Sequence, residues 1–161
     1  MALAYAFQPM TPDHLPVIRR WLETPEVTRW WGPPDEQYVL VSGDLEHPDM
    51  DQFIVALEDH PFGYIQCYAL STWNQGFGPQ PEATRGIDQF IGEPDMIGHG
   101  HGAGFVRQFA DGLLASGIPR IVTDPDPDNA RAVRAYTKAG FEHDRIVETA
   151  DGPVLLMVRN R

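Results

Sequence analysis

The chain is short of cations, nearly without cysteine and free of long apolar runs, and each shortage removes a class of function. Lysine and arginine together number 12 against 23 acids, for a formal net charge of −11. Nucleic-acid binding needs basic patches that neutralise phosphates, so no nucleic-acid partner is expected. A small cationic partner is compatible with the same balance, because the long-range field attracts it. The single cysteine, Cys67, excludes an internal disulfide and a multi-cysteine metal site. It lies on an apparent strand with no matching His/Asn pattern and reads as a buried thiol. Apolar runs extend only a few residues, too short for a membrane-crossing helix. Met1 to Gln8 lacks the charged region and apolar stretch of a secretion signal. The expectation is a cytoplasmic protein with no membrane partner. Its 161 residues suit one domain, 1–161, as a monomer or homodimer.

What is present alternates between strand and helix signals. Tyr5 to Phe7 reads as a short strand. Thr11-Pro12-Asp13 opens a helix carrying Leu15, Ile18, Trp21 and Leu22 at helical spacing. Thr24-Pro25-Glu26 repeats the signal before Val27 to Trp30, Trp31-Gly32-Pro33-Pro34 stops that turn, and Gln37 to Leu45 continues as helix. Gln52 to Leu57 and Phe62 to Leu70 read as a hairpin around Glu58-Asp59-His60-Pro61. Ser71 to Thr84, rich in Gly, Pro and Gln, is too long for a plain connector. Then come a strand over 85–91, a helix over 103–115, a strand over 120–123, a helix over 128–139, and strands over 141–147 and 154–158 about the Asp151-Gly152 turn. That order predicts an α/β (α+β) fold, a mixed sheet with helices on its faces.

Two segments carry chemistry. Ile97-Gly98-His99-Gly100-His101-Gly102-Ala103 stands between a strand and a helix. Its glycines permit close backbone approach to a ligand, and free amides at the helix start hold phosphate oxygens. The spacing fits neither a P-loop, since no lysine follows, nor the dinucleotide fingerprint. The second is Asp128-Asn129-Ala130-Arg131-Ala132-Val133-Arg134-Ala135-Tyr136-Thr137-Lys138-Ala139-Gly140-Phe141. Together the two segments resemble the acetyl-CoA signature of the GNAT superfamily of N-acetyltransferases, with Ile97 where that family usually has Gln or Arg. Trp30-Trp31-Gly32, Phe62-Gly63-Tyr64, Arg85-Gly86-Ile87-Asp88-Gln89, Thr123-Asp124-Pro125 and Asp151-Gly152-Pro153 resemble, more narrowly, the aminoglycoside 6′-N-acetyltransferases.

The resemblance implies the GNAT fold, with about seven strands in a mixed sheet and about four flanking helices. It also implies direct acetyl transfer from acetyl-CoA, used as co-substrate without a metal, to a primary amine such as an aminoglycoside 6′-amine. An ammonium has no free lone pair until a base removes its proton. Asp88 matches the family's acceptor-binding acid and is expected to act as base or ammonium anchor; the alternative is a strand-end carboxylate satisfied by Arg85 or backbone donors. Tyr136 is expected to return a proton to the thiolate, since a phenol near pKa ~10 exchanges protons with a thiol; the alternative is a packed aromatic. Gln89, Phe90 and Ile91 would supply an oxyanion donor. Gly98, His99, Gly100, His101, Gly102 and Ala103 would hold the pyrophosphate, and Asn129 is a coenzyme ligand, a helix cap or both.

For the acceptor, the resemblance brings in Trp30 or Trp31 as a sugar platform, and Glu82, Asp88, Asp124 and Asp151 as acids. Asp151-Gly152 is equally what a tight hairpin asks for. From Thr72 to Thr84 the sole acid is Glu82, where that family carries several. Other readings are a GNAT enzyme for another amine, a siderophore-precursor lysine or a polyamine, or a non-catalytic coenzyme-binding domain. His99 and His101 lack a third metal ligand nearby, and the acids from Asp124 to Asp128 lack the calcium-loop pattern.

Overall fold

The structure, a computed structural model, describes residues 3–73 and 75–161. The first strand, β1 (Ala6–Pro9), is followed by a 3₁₀ turn at Pro12–His14 and three helices: α1 (Leu15–Leu22), α2 (Pro25–Trp31) and α3 (Pro34–Gly43). Next come β2 (Met50–Leu57), β3 (His60–Ala69) and β4 (Arg85–Ile91), a second 3₁₀ turn at Pro94–Met96, and α4 (His101–Ala115). The chain ends with β5 (Arg120–Thr123), α5 (Ala130–Lys138), β6 (Glu142–Thr149) and β7 (Gly152–Asn160). The described residues thus form seven strands and five α-helices, one helix more than expected.

The differences from the sequence reading are at boundaries and have local causes. The Thr11 signal opens a 3₁₀ turn, and the α-helix begins only at Leu15. Gly32, at φ +104°, ends α2, and the two prolines after it start α3 three residues earlier than its apolar pattern does. The helix after the glycine loop begins at His101, inside the glycine run. Asn129 stands outside α5 and caps it, its Oδ1 accepting from Ala132 N at 3.3 Å.

The strands hydrogen-bond in the order β1-β2-β3-β4-β5-β7-β6. β1/β2, β5/β7 and β6/β7 are antiparallel, while β4/β5 is parallel. The backbone falls into two compact units, residues 1–67 with 89–101, and 68–88 with 102–161.

In the first unit, α1 to α3 bury Ile18, Trp21, Leu22, Val27 and Val41 with Ile54, Tyr64 and Phe90 of the strands. Trp31 packs against this core, edge-on to Phe90 at 5.1 Å and to Tyr64 at 6.2 Å. In the second, Phe77, Val122, Val147 and Leu156 form a cluster, with Leu70, Val154 and Val158 at its margin. The ring of buried Tyr68 lies across Gly86, where an added Cβ would overlap it. This explains the glycine in Arg85-Gly86-Ile87-Asp88: a side chain there would displace a buried aromatic.

Gly86→Ala is therefore expected to cost about 1–3 kcal/mol of stability in urea unfolding, the range for overpacking a core. A loss below about 0.5 kcal/mol, the level of a neutral surface change, would contradict the contact.

Candidate active site

The parallel β4/β5 ladder is short, pairing Arg85 with Ile121 and Gly86 with Val122. At the next step a side chain takes over. The hydroxyl of buried Thr123 donates to the Ile87 carbonyl at 3.1 Å. Each strand then presents an acid, Asp88 on β4 and Asp124 immediately after β5, and their side chains hydrogen-bond to each other. Two carboxyls bonded to each other must hold a proton between them. Burial first, then the charge of Asp88 and the bond to it, push the Asp124 carboxyl up to about 8 from an ordinary 3.8, although a backbone hydrogen bond at Asp124 pulls it the other way. A half-buried pair of carboxyls that holds a proton is suited to an ammonium.

The other expected residues of the second unit occupy distinct surroundings. Tyr136 is buried on α5, edge-on to Phe141 at 5.6 Å. Asp151 is exposed in the β6–β7 turn, its amide donating to Thr149 Oγ1 at 3.2 Å. Exposed Glu82 belongs to the loop between β3 and β4, which lines a cavity of about 320 Å³ with Trp73, Phe77 and Gln80. That loop is pinned by Arg145, which donates to the Phe77 carbonyl, and by Arg120, which donates to Gln80 Oε1 at 2.9 Å.

In the first unit, Gly98 and Gly100 both sit at φ +83° on either side of exposed His99. An added Cβ on either glycine would meet no neighbouring atom within 4 Å. Left-handed glycines alternating with an ordinary residue turn successive amides to one side, the geometry of an anion nest. The first amides of α4 also have no carbonyl four residues back within the helix. This loop fits a pyrophosphate. His101 is turned inward, with Nδ1 3.0 Å from Tyr5 Oη and its ring against Phe62. Among the described residues no group of three or more His, Cys, Asp or Glu is placed to hold a metal ion. Cys67 is buried.

Trp30 and Trp31 are separated by their environments. Trp31 serves the core, whereas the half-buried Trp30 ring lies under the Arg29 guanidinium at 4.6 Å. Of Gln89, Phe90 and Ile91, Phe90 is buried and stacks on Tyr64 at 5.3 Å. Sequence reasoning missed Thr123, whose hydroxyl ends the ladder; its position just before Asp124 was the available signal.

The mixed sheet with its short parallel β4/β5 pair, glycine loop before α4 and capped α5 is the frame of an N-acetyltransferase, and the chain belongs to the GNAT acetyltransferase domain family, which matches residues 11–149. Within it, the chain is 34% identical over 165 residues to aminoglycoside N(6′)-acetyltransferase type 1 of Klebsiella pneumoniae, covering 94% of this chain and 81% of that one. It is 40% identical over 90 residues to a kanamycin resistance protein of Rhizobium radiobacter, which covers 55% of this chain and 81% of that one. Among solved structures, the aminoglycoside acetyltransferase AAC(6′)-Ib with coenzyme A and kanamycin superposes with a TM-score of 0.87 at 32% identity, over 98% of this chain and 95% of that one.

The carboxyl pair has a measurable consequence. Between about pH 4 and 8 the folded protein keeps a proton on Asp124 that the unfolded chain has lost. The stability from this group is full below about pH 4, declines as pH rises and is gone above about 8. Thermal melts across that range are expected to show the wild type losing stability relative to Asp124→Asn as pH rises. A difference between the two proteins that does not vary with pH would contradict the shared proton.

Proposed function

We propose that the protein transfers the acetyl group of acetyl-CoA to the 6′-amine of an aminoglycoside, directly and in a ternary complex. The observation that carries this reading is the Asp88–Asp124 carboxyl pair at the end of the β4/β5 ladder. Acetyl-CoA supplies a thioester whose acyl carbon accepts an amine. The amides from Gly98 to Ala103 hold the pyrophosphate, with Asn129 as a further contact, and a backbone amide of Gln89 to Ile91 receives the developing oxyanion. An arriving ammonium favours the ionised pair, so its binding expels the shared proton. Asp88 then takes the amine's own proton, directly or through one water, and Asp124 keeps the cation in place until it does. Tyr136 returns a proton to the leaving thiolate. A phenol near pKa ~10 suits that exchange, and the family keeps a tyrosine at this place in the helix.

Trp30 supports the sugar face, since Trp31 is already engaged in the core, and Asp151 and Glu82 add acceptor contacts. The relatives that act on aminoglycosides support this choice of acceptor. One observation favours a second acceptor class. The loop from Ser71 to Thr84 carries one acid, Glu82, beside Trp73 and Phe77. That composition suits an amine with fewer positive charges, such as a lysine-bearing siderophore precursor. The same reading places the enzyme in the cytoplasm as a monomer or homodimer.

The test is thiol release from acetyl-CoA with kanamycin-type compounds, lysine derivatives and polyamines. Kanamycin is expected to give the highest kcat/KM; a lysine derivative ahead of it would establish the second class. Asp88→Asn and Tyr136→Phe are each expected to lower kcat by about 100-fold or more, the scale of general acid–base catalysis. Full turnover in both variants would show that these roles are misassigned.

A further inference from the structure

The glycine loop is fixed at its root by a cluster that acetyl transfer does not use. Trp21 of α1 is fully buried, and its indole lies on the backbone of Gly92, where an added Cβ would overlap the ring. The same indole donates from Nε1 to Glu93 Oε1 at 3.1 Å. Arg20 Nη1 donates to both oxygens of that carboxylate, at 2.8 and 3.4 Å. On the main chain, Gly92 N and Glu93 N both donate to the Phe62 carbonyl, at 2.7 and 3.2 Å. The Glu93 carbonyl accepts from Met96 N at 3.0 Å, which starts the 3₁₀ turn leading to Gly98. Every polar group of Glu93 is thus engaged at the point where β4 becomes the loop.

The Glu93 side chain is only 15% exposed, against 63% for Arg20. Burial opposes its charge, but the bonds from Arg20 and Trp21 and the charges of Arg20 and His60 outweigh that penalty, so its carboxyl lies below the usual range. Covering the Trp21–Gly92 contact needs no charge; an apolar side chain would do it. What a carboxylate adds is direction, because it accepts from an indole N–H and a guanidinium at fixed angles. Direction matters here because main-chain donors hold an anion well only when placed within about 0.5 Å of the productive geometry.

We infer that Glu93 is a positioning residue: clamped by Trp21 and Arg20, it sets where the amides of residues 97–101 stand and thereby tunes the affinity for coenzyme A. The inference rests on the reading of that loop as the pyrophosphate site, so the experiment separates the two. Coenzyme A binding is measured by calorimetry, together with melting temperature and the hydrogen exchange of the ligand-free 97–101 amides. Glu93→Gln is expected to raise Kd for coenzyme A about 3- to 10-fold, the scale of one weakened hydrogen bond, and to speed exchange in that segment. Glu93→Asp, which keeps the charge, recovers part of the affinity. Arg20→Gln, at an exposed position, shifts binding the same way by a smaller factor, and it decides the matter should Glu93→Gln not fold.

Gly100→Asp tests the loop itself, since it puts a negative side chain on a backbone held at φ +83° and strains the loop there. Unchanged coenzyme binding in Gly100→Asp would remove the loop reading and this inference with it. Weakened binding in Gly100→Asp with wild-type binding in Glu93→Gln and Arg20→Gln would overturn the anchor alone. So would a Glu93→Gln protein whose lost affinity is matched by exchange rising equally throughout the chain.

Discussion

The β4/β5 ladder stops after two residue pairs, and the chemistry of the second unit follows from where it stops. A parallel ladder continues for as long as both backbones stay in register. Here the Thr123 hydroxyl takes the Ile87 carbonyl. The next residue in each chain segment is an aspartate, Asp88 on β4 and Asp124 just past β5. Had the pairing run further, these positions would have belonged to a regular sheet interior, where carboxylates are disfavoured. Instead the two carboxyls hydrogen-bond to each other and, half-buried, cannot both remain ionised. At the effective dielectric of a protein, repulsion between adjacent like charges is on the order of several kcal/mol. One pKa unit corresponds to about 1.4 kcal/mol. Repulsion of that size, added to burial, is enough to retain the proton near neutral pH.

In the proposed reaction, a pair that holds a proton and gives it up to water when a cation binds links acceptor binding to ionisation. The same two oxygen-rich side chains that attract an ammonium become a base only once it has arrived. In the proposed pyrophosphate role, the glycine loop would hold a dense negative charge in a protein with a net charge of −11. Main-chain amides and a helix start supply positive potential without any lysine or arginine in the loop.

Much of this was legible in the sequence because it is written in local chemistry. Asn129 before an amphipathic helix, alternating glycines before another, and Asp151-Gly152 in a hairpin each act within a few residues, and each stands where its local rule puts it. The α3 boundary was misjudged because prolines start a helix ahead of its apolar pattern. The pairing of Asp88 with Asp124 was not legible, since it depends on which strands are neighbours and where their ladder ends. Nor was the role of Glu93, whose partners Arg20 and Trp21 lie more than 70 residues earlier in the chain. The two tryptophans of Trp30-Trp31 are alike in sequence; only packing shows that one belongs to the core. Gly86 belongs to a motif visible in the sequence, but its reason, the Tyr68 ring, is tertiary.

The proton shared by Asp88 and Asp124 can be measured directly by carboxyl-carbon NMR of the ligand-free protein. With the aspartate side chains labelled and Asp88 and Asp124 assigned by substitution, one step of the pair is predicted to titrate near pH 8. That step should be sensed by both carbons. Two independent transitions in the ordinary carboxylate range, each confined to its own residue, would rule out a shared proton.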